Sequence, residues 1–210
     1  MSVVSKQPST DRVIIPNVSW ATYVGLLKDL GGRRAPRLAY DQGILEIMSP
    51  HAEHEDASWT LASIVDIVLE EVGIDSRNVG ATTFKKDDQE RGFQPDSCFY
   101  VQNLDRVWGK KKLDINIDPP PDLVIEVDLT NDSFNKFPLY AAMGVPEVWR
   151  FEGRLEIWIL DKNQYVRHAT SKVIPVVNEE IVSELMELSL TEKRRAWLRL
   201  ARQRIRELNC

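Results

Sequence analysis

Two acids on neighbouring strands, with a lysine close behind, are the residues of this chain best suited to chemistry. Asp96 follows Gly92-Phe93-Gln94-Pro95 and leads into Ser97-Cys98-Phe99-Tyr100-Val101. Glu126 stands inside Leu123-Val124-Ile125-Glu126-Val127 with Asp128 after it, and Lys136 follows in Asn135-Lys136-Phe137-Pro138-Leu139-Tyr140. A carboxylate in an apolar strand is costly unless it binds something. A hard divalent cation takes carboxylate oxygens, and phosphate chemistry takes a positive donor beside them. The set is what a magnesium-dependent nuclease requires.

Each residue also has a plainer reading. An acid after proline, such as Asp96, is a common turn residue. Asp122 shares the face of Glu126 by strand alternation, but behind three prolines it serves equally as a strand cap. Lys136 could be a solvated helix lysine, and Glu53 and Glu55 are acids of the kind a helix dipole favours in a first turn. His51, His54 and Glu55 invite a zinc reading, yet the order is His-x-x-His-Glu rather than His-Glu-x-x-His. Trp149 and Trp158 read as hairpin packing. Neither a nucleophile elbow, a Walker loop nor a dinucleotide fingerprint is present.

The candidate residues need elements that bring them together. Trp20, Tyr23, Val24 and Leu27 have helical spacing, predicting a helix over 20–30 stopped at Gly31-Gly32. Segments 37–40 and 44–48 flank Asp41-Gln42-Gly43 and predict a hairpin. Ser49-Pro50 predicts a helix start with proline at the first helical position; Leu61, Ile64, Val65, Val68 and Val72 form its apolar stripe and Gly73 its stop. Strands are predicted over 76–84, 94–101 and 121–128, then a helix over 134–143 ended by Gly144. A hairpin about Gly153 (147–151 with 155–160), a strand over 165–170 and helices over 179–188 and 191–207 complete the chain. Residues 102–120 predict a loop. If the three central strands pair as a meander, as sequential strands often do, then Asp96, Glu126, Lys136 and the Glu53–Glu55 end of the preceding helix meet at one pole.

The composition sets bounds on this reading. At 210 residues the chain holds one well-cored domain rather than two. Residues 1–15 read as a flexible N-terminus, 16–178 as the domain, and 179–210 as its helical extension. A net charge of −5 excludes a protein that coats DNA through global positive charge. Local basic patches remain: Arg33, Arg34 and Arg37; Lys85 and Lys86; Lys110, Lys111 and Lys112; and a run from Lys193 to Arg206. Cys98 and Cys210 are the only cysteines, so a disulfide scaffold is out. Neither a membrane span nor an apolar signal core is visible, and a cytoplasmic location is expected.

Helix–strand–strand–strand–helix–strand, with acids on the second and third strands, resembles the core of the PD-(D/E)XK nuclease superfamily, an α/β fold. More narrowly, M-S-P-H-A-E-H-E at 48–55, G-F-Q-P-D-S-C-F-Y-V at 92–101, P-P-P-D-L-V-I-E-V-D at 119–128 and Y-A-A-M-G-V-P-E-V-W at 140–149 are similar to the Uma-two family. That family, abundant in cyanobacteria, is described as "putative restriction endonucleases", and the likeness spans residues 16–170. The resemblance implies a restriction-endonuclease-like core carrying an N-terminal hairpin and C-terminal helices. It implies Mg²⁺ (or Mn²⁺) on Asp96, Glu126 and the Val127 carbonyl; Glu55, brought to the same pole by the meander, is the further candidate catalytic acid. The superfamily lysine two residues after the strand acid is Asp128 here, so Lys136 would supply the amine and Asp128 could become a metal ligand. Lys85, Lys86, Lys110, Lys111 and Lys112 are the expected contacts to DNA. Trp197, Leu198 and Ile205, outside the core, suggest a homodimer. A catalytically inactive interaction module of the same fold and an RNA-directed nuclease are the alternatives.

Overall fold

Ser19 sets the first helix, its hydroxyl accepting the Thr22 N–H at 3.2 Å. Gly31, in the left-handed region at φ 61°, ends it. The structure, a computed structural model, describes residues 10–31, 36–129 and 135–208, so Arg33, Arg34 and Cys210 lie outside the described residues. In order come β1 (Thr10–Ile15), α1 (Trp20–Leu30), β2 (Arg37–Asp41), β3 (Ile44–Pro50) and α2 (Ala52–Glu71). β4 (Arg77–Asn78), β5 (Phe84–Lys86), β6 (Arg91–Phe93), β7 (Ser97–Tyr100), the short α3 (Leu104–Val107) and β8 (Leu123–Val127) follow. The rest is α4 (Phe137–Met143), β9 (Glu147–Phe151), β10 (Leu155–Asp161), β11 (Gln164–His168), α5 (Glu179–Thr191) and α6 (Arg194–Leu208).

The strands make two sheets, β1-β3-β2-β6-β5 and β11-β10-β9-β8-β7-β4. The predicted meander is there as β4-β7-β8, preceded by α2 and followed by α4 and β9, which runs parallel to β8. β2 and β3 form the expected hairpin. Gln42 and Gly43 both have positive φ (45° and 103°), the type I′ geometry that matches strand twist.

Four expectations are corrected. Residues 10–15 are not loose: they pair with β3 in register, Thr10 opposite Pro50. That pairing carries β3 through Pro50, so α2 starts at Ala52 with His51 as its N-cap. The predicted strand 76–84 divides between the two sheets, and 94–101 is a strand only from Ser97, in the larger sheet, with β6 just before it in the smaller. In the second case Gln94-Pro95-Asp96 is the crossing, where proline cannot donate a ladder hydrogen bond. The loop 102–120 contains α3.

Burial explains the layering. Leu61, Ile64, Val65 and Val68 of α2 pack with Ile125, Val127 and Trp149 on one face of the larger sheet. Trp197 and Ile205 of α6 are 1% and 0% exposed in that same cluster, which removes the reason they gave for a second copy. On the other face Leu139, Tyr140 and Met143 of α4 join Val124 and Val148 to Phe84 and Phe93 of the smaller sheet. The two sheets are therefore stitched together through α4, beside the acids.

Candidate active site

Asp96 sits in the bend before β7, one step beyond the Ser97–Ile125 pair, and so beside Glu126 and Val127 of β8. Its carboxylate is 1% exposed. One oxygen takes the Arg37 guanidinium; the other accepts the Val127 N–H at 2.7 Å and faces His54 Nε2 at 3.2 Å. His54, in the first turn of α2, is fully buried, and its Nε2 also lies 2.9 Å from the Val127 carbonyl. Both neighbours of Nε2 are acceptors, which puts a proton on it. The second arm of Arg37 reaches Glu55 at 2.6 Å, where the glutamate is 51% exposed. Burial alone would push the Asp96 carboxyl up. His54, Arg37 and Lys136 outweigh it and hold the group at about 2.

Glu126 points away from the α2 face, toward α4. Its Oε2 accepts the Lys136 ammonium at 2.9 Å and its Oε1 the Tyr140 hydroxyl. Lys136 is the N-cap residue of α4, which places Tyr140 one turn on, on the same side. The ammonium also faces buried Glu46 of β3 at 3.2 Å. Burial raises the Glu126 carboxyl, Lys136 opposes it, the charge of Asp96 adds to it, and the balance stays above the ordinary carboxylate range. For Lys136 burial acts downward, but Glu126, Glu46 and Asp96 together hold the ammonium above its usual value, so it is charged. Burial and Glu126 keep the Tyr140 hydroxyl protonated.

The two acids open on different hollows. Glu126 lines a cavity of about 340 Å³ with Asp128, Lys136, Tyr140, Arg12 and Arg150. Asp96 lines a cleft of about 990 Å³ with Arg37, Glu55, Lys111 and Lys112. Asp128 meets Arg150 at 3.2 Å and Arg12 at 3.8 Å. Asp122 is a strand cap after all: it accepts from the Val101 and Asn103 N–H groups and the Asn103 amide. Lys85 is tied to Asp87, and Lys110 to Asp118.

Asp96, Glu126, Lys136 and Glu55 thus stand on neighbouring elements, with Glu126 and Lys136 on the smaller hollow and Asp96 and Glu55 on the larger. From sequence alone Arg12 and Glu46 are passed over, His54 reads only as a zinc ligand, Tyr140 only as part of a helix start, and Arg37 only as part of a basic patch. Glu46 carried the same signal as Glu126, an acid inside an apolar strand. Asp96 and Glu126 offer hard oxygens, and the charge of one raises the carboxyl of the other, a repulsion that a divalent cation relieves. In that respect the pair fits a magnesium ion. Each candidate ligand also has protein partners: Arg37, His54 and the Val127 N–H on Asp96, Lys136 and Tyr140 on Glu126, His54 on the Val127 carbonyl, and arginines on Asp128. Among the described residues no three histidine, cysteine or acidic side chains converge as a metal cage.

Most of the chain, the acids included, is similar to known proteins. Residues 20–192 match the Uma2 family, described as "Putative restriction endonuclease". The chain belongs to the Uma2 family. Among solved structures, one described as a putative nuclease belonging to DUF820 from Anabaena variabilis is 12% identical, with a TM-score of 0.52, over 80% of this Uma2 chain and 99% of that one. At such identity the likeness speaks for the fold. No curated protein matches the sequence. The Uma2 match takes in every acid of the pole and leaves β1, with Arg12, and α6 outside it. Among the described residues of this Uma2 protein no helix is long and apolar enough to cross a membrane.

Proposed function

We propose that the protein is an endonuclease that hydrolyses phosphodiester bonds in DNA with Mg²⁺ or Mn²⁺ held by Asp96 and Glu126. The observation that carries this reading is the largely buried array Asp96, Glu126 and Lys136, two acids and a charged amine on one pole of a nuclease-family fold. When bound, the cation supplies an activated water and offsets charge growing on the phosphate. Asp96 stays ionised because His54, Arg37 and the Val127 N–H hold both its oxygens. Lys136, fixed between Glu126 and Glu46, is positioned to donate to a phosphate oxygen as charge develops there. Glu55 keeps Arg37 oriented from the cleft side. Lys111 and Lys112 on the cleft wall offer contacts to the nucleic-acid backbone, which would make binding salt-dependent. A homodimer is proposed on the two-fold symmetry of a duplex cut on both strands.

The test is supercoiled plasmid incubated with Mg²⁺ or Mn²⁺, wild type beside Glu126→Ala. Nicked or linear product from wild type alone is expected; intact plasmid with both metals sinks the enzyme reading. One observation favours the rival, a nuclease-fold interaction module without catalysis. Asp128 stands where the superfamily has its strand lysine, and each buried acid of the pole already has a basic partner. An RNA substrate run in parallel tests the RNA-directed alternative.

A further inference from the structure

The smaller cavity has a wall that the proposed reaction does not use. Arg12 of β1 lines it with a side chain only 10% exposed, and its Nε and NH1 are buried without a hydrogen-bond partner. Glu46 at 3.3 Å and Asp128 at 3.8 Å offset its charge without accepting a hydrogen bond from those nitrogens. A buried donor left without an acceptor is destabilising. An acceptor therefore belongs in this cavity.

The other walls say which acceptor. Lys136 and Arg150 bring positive charge to the same space, and Phe137 and Trp158, half-buried with ring centroids 5.0 Å apart, give it an apolar side. About 340 Å³ is at the small end of pockets that hold an organic ligand. Guanidinium and ammonium donors match phosphate oxygens. Aromatic faces match a sugar or a base. We propose that the cavity seats a single nucleotide unit of the bound strand, with Arg12 gripping its phosphate and Phe137 and Trp158 lying against its sugar or base. This rests on the nuclease reading above. Because Arg12 lies before residues 20–192, the family match does not assign it.

Glu46, Glu126 and Asp128 balance the three cations of this wall, so an anion is favoured most when a divalent cation is also present. The experiment is fluorescence anisotropy of a labelled single-stranded oligodeoxynucleotide with the full chain at low salt in Ca²⁺. A deoxynucleoside monophosphate and inorganic phosphate serve as competitors. Arg12→Gln should weaken oligonucleotide binding by about tenfold, the equivalent of one lost charge-assisted contact. Arg12→Lys, which keeps the charge without the fork, should fall between and covers the case in which the glutamine variant does not fold. In wild type the mononucleotide should compete better than phosphate, and Trp158→Leu should erase that difference. Equal affinity of Arg12→Gln and wild type overturns the proposal, and so does phosphate competing as well as the mononucleotide. A lowered Tm with unchanged affinity overturns it too, assigning Arg12 to holding β1 on Glu46. Uncut plasmid alongside Arg12-dependent binding sinks the nuclease reading and leaves the nucleotide seat standing.

Discussion

Asp96, buried, and Glu126, largely buried, lie side by side at the start of β7 and the end of β8 and are driven in opposite directions. Asp96 is held down at about 2 and Glu126 is pushed above the ordinary range. Burial acts upward on both, so it does not decide. The donors do: Asp96 has a guanidinium, an imidazole and a backbone N–H, whereas Glu126 has one ammonium, one phenol and a negative neighbour. One pole therefore holds a fixed anion beside an adjustable one.

The largest effect should come from removing the fixed anion. Asp96→Ala strands Arg37 and His54 in the interior, a loss of about 3–5 kcal/mol in urea unfolding. Glu126→Ala leaves Lys136 with Glu46 and should cost only about 1–2 kcal/mol. Equal losses at the two positions would erase the distinction. Next in size is metal. Mg²⁺ or Mn²⁺ at about a hundred times its dissociation constant should stabilise wild type by about 2.7 kcal/mol, read as a rise in Tm, and Glu126→Ala should abolish the rise. A Tm indifferent to both metals would favour the non-catalytic module.

The pH dependence should then split by sign. Asp96, depressed from about 3.8 to about 2, contributes roughly 2 kcal/mol above pH 4, lost as pH falls toward 2. Asp96→Asn should flatten that acid limb. Glu126 is raised, so its contribution is present at low pH and fades as pH climbs through its folded value. Glu126→Gln should therefore gain on wild type with rising pH; a parallel pair of curves refutes the assignment. The smallest effect is Tyr140→Phe, about 1 kcal/mol. It removes a donor from Glu126 and should raise that carboxyl further, visible in the carboxyl region of an NMR titration.

Glu126 was legible because an ion in an apolar strand contradicts its surroundings, and Asp96 because a meander must bring it alongside. The helix over 20–30, the hairpin at Gln42-Gly43 and the α2–β4–β7–β8–α4–β9 order were legible from periodicity and turn chemistry. What could not be read is contact between distant segments. Nothing local to Arg12 says that β1 pairs with β3 in the register that sets it against Glu46. Nor does the run through 91–101 betray that it changes sheets, since its apolar pattern suits either. Arg37 looked like one cation among several until Asp96 was placed across from it.

That crossing has a consequence for the order in which the molecule is made. Gln94 is pinned to the smaller sheet through Leu38 and Thr83, while Ser97, three residues on, is already paired with Ile125 in the larger one. Asp96 can meet Arg37 and Val127 together only after both sheets have closed on each other. Such closure spans long stretches of chain, and long loops are the slow part of folding. The centre should be among the last features to mature. In a refolding time course Trp149, in the helix-packed core, should be shielded before Asp96 acquires its depressed titration.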